Sequence, residues 1–245
     1  MTGGLYRILE NAPLGGGMRK LRLEGDTSAL VNPGQFADIR VPGKYLRRPI
    51  SVCDWDDATL TLVYRVLGSG TAILAEMAPG GELDLLTGLG NGYSTARAGA
   101  RPLLLGGGAG IPPLYGLCRR LLAMGAAPTV LLGYRSAGDV YLPEEFRDLG
   151  VPVRVSTQDG SLGTKGVVTD LLEGLDPTFF YACGPEPMYR AIARAVSVPG
   201  EYSFEARMGC GFGACMGCSC ETLAGTKRIC RDGPVMESGE IKWEN

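Results

Sequence analysis

The sequence predicts an all-β domain, an antiparallel barrel, followed by an α/β domain with a parallel sheet and by a small cysteine-rich module. The first hundred residues contain short runs of alternating polarity that are separated by turns. From residue 101, short apolar strands alternate with helical segments. Five of the eight cysteines then lie between residues 210 and 230. The predicted boundaries are therefore 1–98 for the barrel, 99–204 for the α/β domain and 205–245 for the module.

The barrel is predicted from five runs in which every second residue is apolar, the pattern of a strand with one buried face. Turn-rich stretches at 14–17 and 32–34 separate some of these runs. The predicted strands are 6–10, 18–24, 35–41, 50–54 and 60–66, with one short helix at 70–77.

The α/β domain is predicted from the regular alternation of strands and helices, which favours a parallel sheet with helices on both faces. The predicted strands are 102–105, 129–133, 151–155 and 179–182. The predicted helices are 112–124, 164–175 and 187–196.

The cysteine-rich module carries the sharpest chemical signal in the chain. Cys210, Cys215 and Cys218 follow the spacing Cys-x4-Cys-x2-Cys, and Cys230 follows after eleven further residues, which is the spacing of plant-type [2Fe-2S] proteins. Glycines 209, 211, 213 and 217 alternate with them and allow backbone N–H groups to approach the sulfurs. We therefore predict that these four thiolates hold a [2Fe-2S] cluster.

Three other readings of the cysteines are weaker. A zinc ribbon usually has two Cys-x2-Cys knuckles or histidine partners, and this chain has one knuckle and no histidine. A disulfide framework is typical of short secreted chains, and inert buried cysteines would not alternate with so much glycine. Cys220 leaves an ambiguity over the third ligand, because Cys218 and Cys220 lie on the same loop; the x2 spacing selects Cys218.

Two glycine turns in the α/β domain indicate a nucleotide site. The first, with Gly108 and Gly110, lies between a strand and a helix start, where free N–H groups attract a pyrophosphate. Alone, this turn is weak evidence for a nucleotide site, because it lacks the third glycine of the dinucleotide fingerprint. The second contains Cys183 and Gly184 and also ends a strand. Both turns are expected to face one crevice, which favours a nicotinamide site.

Two basic segments of the barrel are further candidates. Arg47 and Arg48 precede Pro-Ile-Ser, and Tyr64-Arg65 precedes Gly-Ser-Gly70-Thr71 at a helix start. Arginine forms bidentate hydrogen bonds to phosphate, and a helix start offers N–H groups to an anion. The residues alone leave open whether these are anion sites or basic strand ends beside a capped helix.

Composition narrows the function. The formal net charge of −2 argues against a nucleic-acid partner, and no stretch reaches the 18 apolar residues of a membrane span. Residues 1–17 have no apolar signal-peptide core, so eight cysteines predict a reducing cytoplasm. Without histidine, the usual general acid or base near neutral pH is missing, and we assign no catalytic residue.

The order of these motifs, with Leu89-Gly90-Asn91-Gly92 between them and the cysteine loop at the C-terminal end, resembles the electron transfer subunits of dihydroorotate dehydrogenase B in the ferredoxin reductase superfamily. The resemblance extends over nearly the whole chain. It implies NAD(H) beside Gly108, Gly110, Cys183 and Gly184, and a cluster held by Cys210, Cys215, Cys218 and Cys230. It also implies FAD on the barrel, lined by Arg48, Pro49, Ile50, Ser51, Val63, Tyr64, Arg65, Gly70 and Thr71.

The resemblance further implies a partner, a catalytic subunit that carries FMN and oxidises dihydroorotate, in a heterotetramer with two copies of each chain. Electrons would pass from FMN through the cluster and FAD to NAD+, in pyrimidine biosynthesis. The alternatives are a flavin and NAD(P)H reductase subunit of a sulfide dehydrogenase, hydrogenase or sulfite reductase, and a redox sensor or zinc-containing interaction module. NAD rather than NADP is expected from the resemblance alone, because residues 133–136 contain no acidic residue and include Arg135.

Overall fold

The computed structural model of the chain describes residues 1–243, which form a closed six-stranded barrel, a seven-stranded sheet and a two-stranded hairpin. Residues 244 and 245, which end the predicted C-terminal module, lie outside the described residues. In the described part of the chain, no helix has both the length and the apolar character needed to cross a bilayer.

The barrel confirms the predicted all-β domain. Its six strands are β1 (Thr2–Gly15), β2 (Met18–Glu24), β3 (Phe36–Ile39), β4 (Arg48–Trp55), β5 (Thr59–Arg65) and β6 (Glu82–Leu89), with helix α1 (Ser69–Ala75) between the last two. They pair in the order β1-β2-β5-β4-β3-β6, all antiparallel, and β6 closes on β1. Strand β6 was missed, although Leu83, Leu85, Thr87 and Leu89 alternate into the interior in the expected pattern.

The seven-stranded sheet confirms the predicted α/β domain. Its elements are β7 (Pro102–Gly107), α2 (Pro112–Ala123), β8 (Thr129–Tyr134), α3 (Pro143–Asp148), β9 (Val153–Thr157), β10 (Thr164–Lys165), β11 (Phe179–Cys183), α4 (Glu186–Ala195), β12 (Gly200–Ser203) and, from the C-terminal module, β15 (Val235–Glu237). The strand order is β10-β9-β8-β7-β11-β12-β15. From β7 the chain adds β8, β9 and β10 on one side of that strand, and β11 then lies on the other side of β7. The strand order therefore reverses between β7 and β11, which makes this position the topological switch point of the sheet.

Helices cover both faces of this sheet, as predicted. Leu114 and Phe146, from α2 and α3, pack with Leu104 and Leu132 on one face. On the other face, Ile192 of α4 belongs to the core cluster of Leu103, Leu105 and Leu131. Two layers of apolar contact therefore fix the strand ends that carry the glycine turns.

The predicted helix at 164–175 is wrong. The structure has the two-residue strand β10 there, followed by a 3-10 turn at Val168–Leu171. Gly166 has φ +140°, and the Asp170 carboxylate accepts a hydrogen bond of 2.7 Å from the Val167 N–H. This bond caps the start of the turn, and Gly174, with φ +74°, follows its end, so glycines outside the right-handed helical region confine the segment to a single turn.

The C-terminal module is attached to both domains. Its hairpin consists of β13 (Ser219–Thr222) and β14 (Gly225–Arg228), and β15 pairs antiparallel with β12 at the edge of the sheet. Asn91, from the barrel, donates 2.7 Å to the Val235 carbonyl and accepts 3.1 Å from the Val235 N–H. The boundaries at 98/99 and 204/205 stay predictions, since β15 lies beyond the second boundary and completes the sheet of the preceding domain.

The barrel and the α/β domain meet where α2 lies against β4. A Cβ at Gly116 would come within 2.7 Å of the Cys53 carbonyl oxygen, so glycine allows the helix to approach the strand closely. Arg119 of α2 also forms an ion pair with Asp54 of β4. Cys53 and Cys118 are both buried in this region.

Candidate functional site

A cleft of about 300 Å³ lies between strands β4 and β5 of the barrel and the start of α2. Eight of the nine residues predicted to bind FAD line it: Arg48, Pro49, Ile50, Ser51, Val63, Tyr64, Arg65 and Thr71. Two neighbouring strands bring these residues together, since β4 pairs with β5 in the barrel. We refer to this space as the flavin cleft.

Gly70, the ninth residue, is buried beneath Arg48 instead of lining the flavin cleft. A Cβ at position 70 would lie 2.4 Å from Nε of Arg48, so an alanine there would displace the guanidinium from the start of α1. The Thr71 hydroxyl accepts N–H bonds from Leu67 and Gly68 at 3.0 and 3.2 Å. These contacts, all between groups of the protein itself, fix the conformation of the loop beside the flavin cleft.

Arg65 provides an observation that tests whether the flavin cleft fits a cofactor. Its Nη2 donates 3.3 Å to the Gly16 carbonyl and lies 3.9 Å from an oxygen of Asp139. Its Nε is buried and has no hydrogen-bond partner within residues 1–243. A buried N–H group without a partner is costly, and an acceptor atom on a bound cofactor would satisfy it.

A second cleft, of about 480 Å³, lies at the switch point between β7 and β11. Both predicted glycine turns line it, through Gly108, Gly110 and Gly184. A Cβ at Gly110 would lie 2.4 Å from the carbonyl carbon and oxygen of Cys183. The two turns are therefore in direct main-chain contact, and together they form the floor of what we call the nicotinamide cleft.

Cys183 does not bring its side chain into the nicotinamide cleft. The residue is 2% exposed, and the polar groups that act on its thiol belong to Tyr93, Tyr189 and Ser203. Burial raises its pKa, and these partners lower it by less. Tyr189 also accepts the Gly184 N–H at 2.9 Å and donates to the Ser203 carbonyl. The cysteine thus supports the turn from below, while its predicted proximity to nicotinamide stays a prediction.

Two carboxylates at the clefts were missed by sequence reasoning. Asp139 lines the nicotinamide cleft and accepts hydrogen bonds from Arg135 at 3.0 Å and Ser136 at 3.2 Å. The Arg135 hydrogen bond is the main reason why its pKa is lowered. Glu205 lines both clefts, and the concave surroundings desolvate its carboxyl and raise its pKa. An acidic nucleotide ligand usually stands at the end of the second strand of the sheet, here residues 133–136. Asp139 lies beyond that position, in the 3-10 turn Ala137–Asp139 that follows β8.

The four predicted cluster ligands lie in two pairs. Cys210 and Cys215 form one pair, and Cys218 and Cys230 form the other. Cys210 Sγ accepts N–H bonds from Ala214 at 3.2 Å and Cys215 at 3.4 Å, and Cys218 Sγ accepts one from Cys230 at 3.4 Å. Burial alone would raise the pKa of Cys210, but the N–H donors outweigh it and lower the pKa to about 6.

The donor set of this loop fits an iron–sulfur cluster, because thiolates that accept backbone N–H bonds are the usual ligands. A Cβ at Gly209 or Gly217 would lie 3.2 or 3.5 Å from Cys215 Sγ, so the glycines leave the main chain close to the sulfur. Within residues 1–243, no three His, Cys, Asp or Glu side chains are yet grouped closely enough to hold a metal ion. Cys220 lies opposite Lys227 in the hairpin, outside both pairs.

Comparison with known proteins agrees with this arrangement. The family model for the iron–sulfur cluster binding domain of dihydroorotate dehydrogenase B matches residues 205–242, and an oxidoreductase NAD-binding domain matches residues 104–194. The electron transfer subunit of dihydroorotate dehydrogenase B (NAD(+)) from Bacillus caldolyticus is 44% identical over 222 residues, 85% of this chain and 86% of that protein. Its counterpart from Shouchella clausii is 41% identical over 253 residues, 97% of each chain.

Solved structures extend the comparison. An NADH-dependent reduced ferredoxin-NADP oxidoreductase, studied for flavin-based electron bifurcation, matches with a TM-score of 0.87 and 29% identity over 98% of this chain and 90% of that one. A ferredoxin NADP+ reductase from Neisseria gonorrhoeae with bound FAD and NADP matches with a TM-score of 0.68 over 80% of this chain and 91% of that one. At 16% identity, the second match shows the fold alone.

Proposed function

The chain belongs to the family of electron transfer subunits of dihydroorotate dehydrogenase B, and from this premise we propose that it connects dihydroorotate oxidation to NAD+ reduction in pyrimidine biosynthesis. It works with a catalytic partner subunit, since its relatives are named as subunits. We further propose that this partner carries FMN, that the assembly contains two copies of each chain, and that it is cytoplasmic. The cofactors of this chain are FAD, a [2Fe-2S] cluster and NAD(H).

The observation that best supports this function is the continuity of the two clefts. Arg65, Ala109 and Glu205 line both the flavin cleft and the nicotinamide cleft. Met208 and Pro234, from the C-terminal module, line the flavin cleft on another side. When bound, FAD supplies hydride exchange with nicotinamide and single-electron exchange with an iron–sulfur cluster. The protein thus offers adjoining sites for one carrier of each kind.

The residues of the clefts position and enclose their ligands. Gly108 and Gly110 line the nicotinamide cleft, where a glycine turn lets the main chain approach a bound nucleotide closely. The helix that follows, α2, begins with Pro112 and Pro113, which have no N–H group and line the flavin cleft. The guanidinium of Arg65, with its unpartnered Nε, offers a donor where the two clefts meet. No side chain of this chain needs to move a proton for hydride exchange, which depends on holding two rings in contact. That requirement agrees with a chain that lacks histidine.

The cluster loop is suited to electron exchange with a second polypeptide. We assign Cys210, Cys215, Cys218 and Cys230 as the residues that hold the cluster. Cys215 is exposed, and so are the neighbouring apolar side chains of Phe212 and Met216. This outward-facing segment lets the partner subunit approach the ligands.

The test is reconstitution with a dihydroorotate-oxidising FMN subunit after anaerobic purification of this chain. Iron, sulfide and flavin are measured first, with an expected two irons, two sulfides and one FAD per chain. The mixture should then reduce NAD+ when dihydroorotate is added, and either subunit alone should not. A chain that contains flavin and cluster but supports no dihydroorotate-dependent NAD+ reduction would exclude the pyrimidine role.

A second candidate function is the reductase subunit of another multi-component complex. It is favoured by the TM-score of 0.87 to the NADH-dependent reduced ferredoxin-NADP oxidoreductase over 98% of this chain. Reduction of ferredoxin by NADH, in the absence of the dihydroorotate-oxidising subunit, would support this candidate. The same loaded preparation serves for both assays, so the two functions are compared directly.

A further inference from the structure

Strand β3 separates the barrel interior from the C-terminal module. Ala37 and Ile39 point into the barrel core. Phe36 and Asp38 alternate with them, so they face outward, where the module covers them. Phe36 lines the flavin cleft and packs in the same apolar cluster as Cys218 and Cys230. The outer face of β3 is thus a wall between the flavin cleft and the cluster loop.

A carboxyl group lies in this wall where an apolar side chain would be expected. Asp38 is 2% exposed and lies opposite Pro49 of β4, one of the residues of the flavin cleft. Its other side faces the cluster loop, since a Cβ at Gly211 would lie 2.5 Å from Asp38 Oδ2. Gly211 has φ +76° and follows the predicted ligand Cys210 directly. Asp38 therefore lies between the two redox sites.

The Asp38 carboxyl is buried, and one of its two oxygens lacks a hydrogen-bond partner among residues 1–243. Its Oδ1 has no hydrogen bond within the described residues. The charges of Arg47 and Arg48 act on this carboxyl and lower its pKa, and the charge of Cys210 raises it. The Arg47 guanidinium donates to the Asp84 carboxylate at 2.8 Å and to the Asp38 main-chain carbonyl at 3.2 Å, and Arg48 donates to the Leu46 carbonyl at 2.6 Å. Neither arginine therefore donates to Oδ1 of Asp38.

Burial of this kind costs stability, so a structural role explains the residue poorly. Burying a carboxylate without a hydrogen bond is unfavourable, and an apolar side chain of similar size is often neutral or stabilising there. Burial raises the pKa of Asp38 to about 6, against the opposing effect of Arg47, so the group is ionised at pH 8. A negative charge in a poorly screened place disfavours adding an electron nearby.

We propose that the Asp38 carboxylate lowers the reduction potential of the cluster held by the adjacent loop and so favours onward transfer of the electron to the flavin. The net charge around an iron–sulfur cluster is one of the features that set its potential. This inference rests on the proposed function, because it requires a cluster at Cys210, Cys215, Cys218 and Cys230. Asp38 acts on the cluster through its charge, and it is not among the residues that line the nicotinamide cleft.

The test is an EPR-monitored redox titration of the loaded protein at pH 8. The variants are Asp38→Asn, which keeps the shape, and Asp38→Leu, which removes both the charge and any donor. Glu24→Gln is the matched control: it also removes one negative charge, but from an exposed position on β2, a strand that pairs with β1 and β5. Iron, sulfide and FAD are measured for every protein before titration.

Both Asp38 variants are expected to shift the midpoint potential of the cluster to more positive values, by more than the Glu24 variant does. Three results would overturn the inference: no shift in Asp38→Leu at full iron and sulfide content, a shift in Asp38→Asn alone, or an equal shift in Glu24→Gln. Loss of the cluster from both variants with FAD retained would also overturn it, because Asp38 would then serve loop assembly. Absence of iron and sulfide from the unaltered chain would instead refute the proposed function.

Discussion

Gly110→Ala is expected to separate the two glycine turns of the nicotinamide cleft. Gly110 is buried and has no positive φ, so the substitution adds no backbone strain and acts through contact alone. The new Cβ would lie 2.4 Å from the Cys183 carbonyl carbon and oxygen and 2.5 Å from the Gly184 nitrogen. These are main-chain atoms of a strand end, which cannot rotate away as a side chain can.

The size of the effect follows from these distances. Ordinary van der Waals contact begins at 3.4 Å, so the turns must separate by about 1 Å. A misplacement of about 1 Å at a reacting centre can cost roughly a hundredfold in rate, equivalent to about 2.7 kcal/mol. Overpacking also lowers the free energy of unfolding by about 1–3 kcal/mol. We therefore expect kcat/KM for NADH to fall by roughly a hundredfold, with a modest decrease in Tm.

The assay is NADH oxidation with ferricyanide as the electron acceptor, with FAD content taken from the flavin absorption. FAD should be retained, because Gly110 does not line the flavin cleft. Gly138→Ala is the control, since it lies in the 3-10 turn that follows β8 and its Cβ would be 3.7 Å from Ser136 Oγ. A kcat/KM within twofold of the unaltered protein, at unchanged Tm, would refute the reasoning.

Three further predictions concern single side chains. Cys218→Ser should abolish the visible cluster absorption and Cys220→Ser should keep it; the opposite result would make Cys220 the third ligand. Cys183→Ala should lower Tm while changing kcat/KM for NADH by less than about threefold, because its thiol packs with tyrosines and does not line the nicotinamide cleft. A large decrease in kcat/KM at unchanged Tm would instead place the thiol at the nicotinamide. Asp139→Asn should raise the ratio of kcat/KM for NADPH to kcat/KM for NADH by about tenfold. The substitution removes a negative charge that would repel a 2′-phosphate, and it weakens the hydrogen bond that holds Arg135. Steady-state kinetics with both nucleotides test this prediction, and an unchanged ratio would contradict it.

Features that depend on residues close together in the chain could be predicted from the sequence. The predicted ligands Cys210, Cys215 and Cys218 share one loop, so their spacing alone indicates a cluster. Strand alternation and the glycine turns at Gly108 and Gly184 likewise reflect local backbone preference and burial on one face. The helix expected at 164–175 failed for a local reason as well, since Gly166 and Gly174 have positive φ values that interrupt a right-handed helix.

Only the tertiary structure decided which distant residues meet. Strand order brings Arg65, Ala109 and Glu205 to the junction of two clefts, and it buries Asp38 against Gly211. Such contacts join segments far apart in the chain, and no local propensity records them, because they arise from the packing of whole elements. The sequence by itself therefore determined the kinds of cofactor site, whereas the packing of the barrel, sheet and module determined how those sites adjoin and which charges lie between them.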